Sequence, residues 1–262
     1  MSATAAIWSW RSPRVWLVPV LALLGGVALA ATGSNERVFL LLNRLGPQTS
    51  DALWANLTIL GDGTVALALC LLLARRRPDL LWAAVPAALL ATAWSRAWKH
   101  LDVLRPAAVF GADAIHIIGP AYQYHSFPSG HATTAFSLAA LCVLGFKLRA
   151  WSALPVGVAI LVAVSRCVLG VHWPLDLLGG AVGGWLAAAV GMRTAANVPF
   201  GLRPTAQLII ALALAGCAVA LLIGFPTDYP QALWFQRAIG AVSLAAFAAT
   251  FLRRRGGRTA PG

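Results

Sequence analysis

Residues 205–225 read TAQLIIALALAGCAVALLIGF, a run with no charged side chain. As a helix rising ~1.5 Å per residue it reaches across the ~30 Å hydrocarbon core of a bilayer, with every backbone N–H and C=O satisfied inside the segment. Comparable apolar runs lie on either side of it, at about 15–31, 63–75, 80–98, 132–148, 151–166, 175–192 and 233–252. The pattern predicts eight membrane helices. The runs at 63–75 and 151–166 are short for a full crossing, and they are expected to extend into neighbouring loop residues or to sit among longer helices. The first run follows Arg11 and Arg14 and ends in Ala28-Leu29-Ala30; its length favours a retained signal anchor over a cleaved signal peptide. Residues 35–61 carry only the short apolar patch Val38-Phe39-Leu40-Leu41-Leu42 and are expected to lie along the outer interface.

Composition agrees with this reading. Of 262 residues 60% are hydrophobic and only 11% charged, which excludes a soluble globular domain. The net charge of +12 would suit nucleic-acid binding in a soluble protein. Here the basic residues cluster between apolar runs, so they mark orientation instead, and no nucleic-acid partner is expected. With the N-terminus inside, Arg11, Arg14, Arg75, Arg76, Arg77, Lys147, Arg149, Arg193, Arg203, Arg253, Arg254, Arg255 and Arg258 face the cytoplasm, 13 of the 20 Lys and Arg residues. The positive-inside rule therefore places both termini in the cytoplasm. Cys70, Cys142, Cys167 and Cys217 occur singly, without metal-ligand spacing, and read as core residues. Gly179, Gly180, Gly183 and Gly184 form two overlapping GxxxG patterns suited to close helix packing. Tryptophans near the first span, Trp8, Trp10 and Trp16, suit an interfacial belt.

Three polar sets fall at the outer face of this topology: Lys99 with Arg105-Pro106, then Pro128-Ser129-Gly130-His131, then Ser165-Arg166 with His172 and Asp176. Ionisable residues near a bilayer are costly and point to function. Each alone also suits a capped histidine or a snorkelling arginine; the combination is what points to a phosphate. Lys99, Arg105 and Arg166 can neutralise a phosphate dianion and the charge that spreads over its equatorial oxygens during transfer. Ser129 and Gly130 open a helix whose backbone N–H groups can meet a phosphate oxygen. Pro174 suits the first turn of a helix, leaving His172 in the preceding loop with Asp176 able to fold back on it. A carboxylate on one imidazole nitrogen fixes the tautomer and leaves the other free to attack phosphorus, so His172 is the candidate nucleophile. His131 would protonate the leaving oxygen and then activate water.

At these residues the sequence resembles the type 2 phosphatidic acid phosphatase superfamily. Pro128-Ser129-Gly130-His131 matches the second motif of that family completely, and Ser165-Arg166, five residues, His172, three residues, Asp176 matches the third. The first motif departs: five residues separate Lys99 from Arg105, where the family has six. The resemblance covers about residues 50–192. It implies an all-α polytopic membrane bundle, with a six-helix phosphatase core plus about two extra C-terminal transmembrane helices. Residues 1–49 then form an anchor and interfacial segment, 50–192 the core, and 193–262 two helices and a basic cytoplasmic tail. It further implies a phosphohistidine intermediate, no cofactor and no metal requirement.

The expected activity is hydrolysis of a lipid phosphate or diphosphate, such as undecaprenyl diphosphate, phosphatidate or phosphatidylglycerophosphate, at the periplasmic face of a bacterial inner membrane. The partners are then the lipid phosphate substrate and membrane lipids; oligomeric state is not legible. A phosphotransferase or phosphatase acting on lipid A uses the same motifs, and a non-catalytic lipid binder or transporter would have no use for both histidines and the carboxylate. Outside the motifs, His100, His116 and His125 read as loop residues and Asp102 as the partner of a nearby arginine. Residues 107–127, with Tyr122, Tyr124 and Phe127, form a long connection that either covers the site or is a plain surface loop.

Overall fold

The computed structural model describes residues 9–74, 76–146 and 152–255, with side chains to residue 249. Trp8, Arg75, Lys147, Arg149 and Arg258 lie outside the described residues. The described chain is all helical: α1 (Pro13–Thr32), α2 (Asn35–Asn43), α3 (Leu45–Gln48), α4 (Asp51–Ile59), α5 (Gly63–Cys70), α6 (Pro78–Ala97), α7 (Pro106–Phe110), α8 (Gly130–Gly145), α9 (Ala153–Val168), α10 (Pro174–Asn197), α11 (Pro204–Ile223) and α12 (Leu233–Arg255). Proline opens α1, α6, α10 and α11, where a missing N–H costs nothing and the fixed φ already suits a helix. Gly33 and Gly224 end α1 and α11 with φ of 61° and 94°, a conformation that a side chain would oppose.

Among the described residues five helices are long and apolar enough to cross a membrane, and α4 with the segment Gly63–Leu73, bent by 59° at their junction, is long and apolar enough together to make a sixth. The protein is therefore a multi-pass membrane protein. The bent pair joins residues 51–59, expected along the interface, to the short second apolar run, whose length it extends. Helices α8 and α9, at 16 residues each, fall short of a full crossing. In α8 the environment accounts for this, since 11 of its 16 residues are buried and protein rather than lipid surrounds it.

Helix α10 is the centre of the bundle. Its most apolar stretch is 72% buried, against 17% for α1 and 28% for α11, so α10 packs against protein while the outer helices face lipid. The four glycines make this possible. A Cβ on Gly184 would stand 2.0 Å from the Thr133 carbonyl oxygen of α8, and one on Gly183 would stand 2.0 Å from the Trp94 ring of α6. Backbone thus meets backbone between α10 and α8, the helices that carry the second and third motifs. All four cysteines are free, in keeping with a packing role.

Candidate active site

The loop before α10 is built around Asp176. Its Oδ2 accepts from the Trp173 N–H at 2.8 Å, from the Ser126 hydroxyl, and from His172 Nδ1 at 3.2 Å. The first of these closes the capping box that starts α10. The Asp176 carbonyl accepts the Ser129 N–H at 3.0 Å, which fastens the second motif to the third. Ser129 is the N-cap of α8, its hydroxyl accepting from the Ala132 N–H. His172, Asp176, Arg166, Ser126 and Ser129 are all at most 3% exposed.

Cations surround His172. Arg105 Nη1 lies 3.4 Å from His172 Nε2 and donates to the Val171 carbonyl at 2.9 Å, while its Nε donates to the Tyr124 carbonyl at 2.8 Å. Arg166 donates through Nη1 to Thr58 Oγ1 at 2.7 Å and to the Tyr229 hydroxyl at 2.8 Å. Its buried Nε has no hydrogen-bond partner. His131, half-buried at the start of α8, lies within electrostatic reach of Arg166, His172 and Arg105. Burial lowers the His172 pKa well below the usual imidazole value, and the charges of Arg105, Arg166 and Lys99 add to it. The ring is therefore neutral at pH 7. With Nδ1 directed at Asp176, its lone pair is at Nε2, the nitrogen that faces Arg105.

Lys99 is held by backbone carbonyls of the second motif's loop. Its Nζ donates to the carbonyls of His125 at 2.7 Å, Pro128 at 2.9 Å and Ser126 at 3.4 Å, so it clamps the loop that presents Ser129. The shortened spacer is absorbed by a 3₁₀ turn at Lys99–Leu101 and a left-handed Asp102 at φ 48°. That turn also corrects the expectation for Asp102. Its partner is His125, at 3.0 Å, not an arginine, because the turn brings the two exposed side chains together. Among the remaining loop histidines, His116 pairs with Asp51 at 2.9 Å. The long connection does reach the site: the Tyr122 ring lies under Arg105, 5.0 Å from ring centre to guanidinium carbon.

The three motifs, which the sequence reading gathers at one end of the bundle, are linked in the structure by Lys99 to Pro128, Ser129 to Asp176 and Arg105 to His172. That reading missed Ser126, Thr58 and Tyr229. Ser126 stands just before the second motif and had a positional signal; Thr58 and Tyr229 are single polar residues 108 and 63 positions from Arg166, with none. Among the described residues no group of three His, Cys, Asp or Glu side chains is arranged to hold a metal ion.

Residues 99–199 match the family model of the PAP2 superfamily. The segment that carries the site is similar to that superfamily. It is 42% identical over 73 residues to YbjG of Escherichia coli (strain K12), whose name assigns it provisionally to the undecaprenyl-diphosphatases, covering 26% of this chain and 36% of the relative. It is 34% identical over 92 residues to a lipid A 4'-phosphatase of Bacteroides thetaiotaomicron, covering 33% of this chain and 41% of the relative. The chain thus spans well under half the length of these curated relatives. Among solved structures, Aquifex aeolicus LpxE superposes with a TM-score of 0.55 at 27% identity, over 61% of this chain and 94% of that one. The PAP2 match runs from Lys99 past Asp176 and so takes in all three motifs. Thr58 and Tyr229 lie outside it.

Proposed function

We propose that the chain is a membrane lipid phosphatase that hydrolyses a lipid phosphate or diphosphate through a phosphohistidine on His172. The observation that carries this reading is the buried His172 ring, held by Asp176 on one nitrogen and facing the Arg105 cation with the other. A phosphate drawn between Arg105 and Arg166 would meet the Nε2 lone pair. Attack at the terminal phosphorus expels the lipid alcohol's oxygen from a monophosphate or the lipid phosphate from a diphosphate, and Asp176 stabilises the charge that develops on the ring. Burial and the nearby cations keep the free His131 ring neutral, so the negative charge of the bound phosphate must first bring it a proton from solvent. His131 then gives that proton to the leaving group and takes one from the water that releases phosphate from His172, so the enzyme returns unchanged. The Ser129 N–H is taken by the Asp176 carbonyl, so Gly130 offers the backbone N–H at the start of α8, and Lys99 holds that loop in place while adding positive charge.

Undecaprenyl diphosphate is the proposed substrate, supported by the name of the Escherichia coli relative. A second reading, a phosphatase acting on lipid A, is favoured by the Bacteroides relative. We place the site at the outer face of a bacterial inner membrane and the phosphatase core at residues 50–192. The test is release of inorganic phosphate by the purified protein from isoprenoid diphosphate, phosphatidate and lipid A, with acid-labile labelling of the protein by substrate carrying ³²P. Release without labelling at His172 removes the covalent mechanism; no release from any lipid phosphate removes the hydrolase reading.

A further inference from the structure

Helices α11 and α12 lie beyond the matched family segment, yet the loop between them reaches the cations of the site. Tyr229, 4% exposed, accepts from Arg166 Nη1 at 2.8 Å. Next to it, Asp228 Oδ2 accepts from the Tyr122 hydroxyl at 2.7 Å, and the Tyr122 ring lies against Arg105. Burial and the Asp228 carboxylate push the Tyr122 pKa up to about 12, so this hydroxyl remains a donor. The loop is braced from behind. Gln236 of α12 donates to the carbonyls of Phe225 at 2.7 Å and Leu221 at 3.3 Å and accepts from Thr227 at 2.9 Å. The fit against the long outer connection is also close: a Cβ on Gly119 would stand 2.9 Å from the Tyr229 ring.

We propose that the α11–α12 hairpin is a positioning element of the phosphate site, in which Tyr229 orients Arg166 and the Asp228–Tyr122 contact orients Arg105. With Thr58 on α4, Tyr229 occupies Nη1 of Arg166 and leaves the unpartnered, buried Nε edge to meet a phosphate oxygen. A guanidinium bonds a phosphate through two N–H groups in a fixed plane, so fixing one end of the fork selects the plane of the other. Without the hydroxyl, Arg166 keeps its charge but loses its direction. A hairpin serving only to pack α5 would have no reason to put a buried hydroxyl on this arginine.

This inference rests on the phosphate-site reading but is tested without the lipid substrate. The probe is inorganic phosphate, its binding to the full-length purified protein followed by tryptophan fluorescence. Tyr229→Phe is expected to weaken phosphate binding by about 10-fold or more. In an Arg166→Lys background the same substitution should add less than about 2-fold, since the group it orients is gone. An equal factor in both backgrounds, or wild-type affinity in Tyr229→Phe, overturns the proposal. Should Tyr229→Phe fail to fold, Asp228→Gly decides, because glycine keeps the positive φ of 64° at that position while removing the acceptor. A loss of about 3-fold or more in phosphate affinity then supports the hairpin's role, and wild-type affinity refutes it. Tyr229-dependent phosphate binding in a protein that releases none from any lipid supports the positioning role and removes the hydrolase reading alone.

Discussion

With Asp176 accepting at Nδ1 and Arg105 standing 3.4 Å from Nε2, His172 has a fixed tautomer and one nitrogen available for attack. That pairing was legible in the sequence because a histidine four residues before an aspartate, with a proline between them, leaves the carboxylate few places to fold except back on the ring. Ser126 was not legible as part of it, since a serine in a loop carries no pattern until the loop is folded. If His172 is the nucleophile, His172→Ala lowers turnover by ~10³-fold or more, as does His131→Ala, measured as initial phosphate release; near-normal turnover in His172→Ala would sink the mechanism. The depressed pKa gives a second expectation. A ring that resists protonation stays competent as pH falls through the ordinary histidine value of about 6.5, so the acid limb due to His172 in kcat/KM lies below it. The effect on stability has the opposite cost. Below pH about 6.5 the unfolded chain binds a proton that the folded chain refuses, so this group destabilises the fold as the pH is lowered. A pH series of phosphate release in detergent from 5 to 8 checks the first point: a limb at 6.5 or above that moves with Arg105→Ala would contradict it.

Among the helices, the glycine spacing of α10 was the most informative feature, since small residues three and four apart mark a face where another backbone must come close. The structure gives that face two neighbours, α8 at Gly180 and Gly184 and α6 at Gly183. The bend between α4 and α5 was less legible. Residues 51–59 hold Asp51, Asn56 and Thr58 among apolar side chains, and those polar groups look interfacial until Thr58 is seen to hold Arg166. Gly184→Val should separate α8 from α10 and with them Ser129 from Asp176, giving little monodisperse protein in detergent and no activity in what remains. Gly157 is the contrast, in α9 with nothing within 4 Å of an added Cβ. Gly157→Ala is expected to keep activity and raise helix stability by up to ~1 kcal/mol, seen as a higher thermal midpoint. Equal behaviour of the two variants would mean that the close α8–α10 contact does not set the site.

For the molecule as a whole, helix count and charge bias together set an orientation, and the two can be checked against each other. Hydrogen bonds join the loop after α6, the loop before α10 and the α11–α12 loop at one end, through Arg105 to Val171 and Arg166 to Tyr229. Alternating crossings require this arrangement: α6, α9 and α11 arrive at the end where α8, α10 and α12 depart. The alternation survives the shortness of α8 and α9, because it depends on connectivity rather than on the length of any one helix. Which side of the membrane that end faces rests on the basic residues alone, with Arg193 and Arg203 beside the α10–α11 turn at the opposite end. At about 1 kcal/mol or less for each charge near a surface, no single arginine decides orientation, so the expected topology rests on the joint bias of the 13 of 20 basic residues assigned to the cytoplasm. Ala112, exposed in the long connection over residues 107–127, and Val198, 45% exposed at the end of α10, sit at opposite ends and suit a labelling test. In a background with the four native cysteines replaced, Ala112→Cys should react with a membrane-impermeant maleimide in intact cells, and Val198→Cys only after permeabilisation. Labelling of Val198→Cys alone in intact cells would invert the topology, moving the phosphate site to the cytoplasmic side while leaving its internal geometry unchanged.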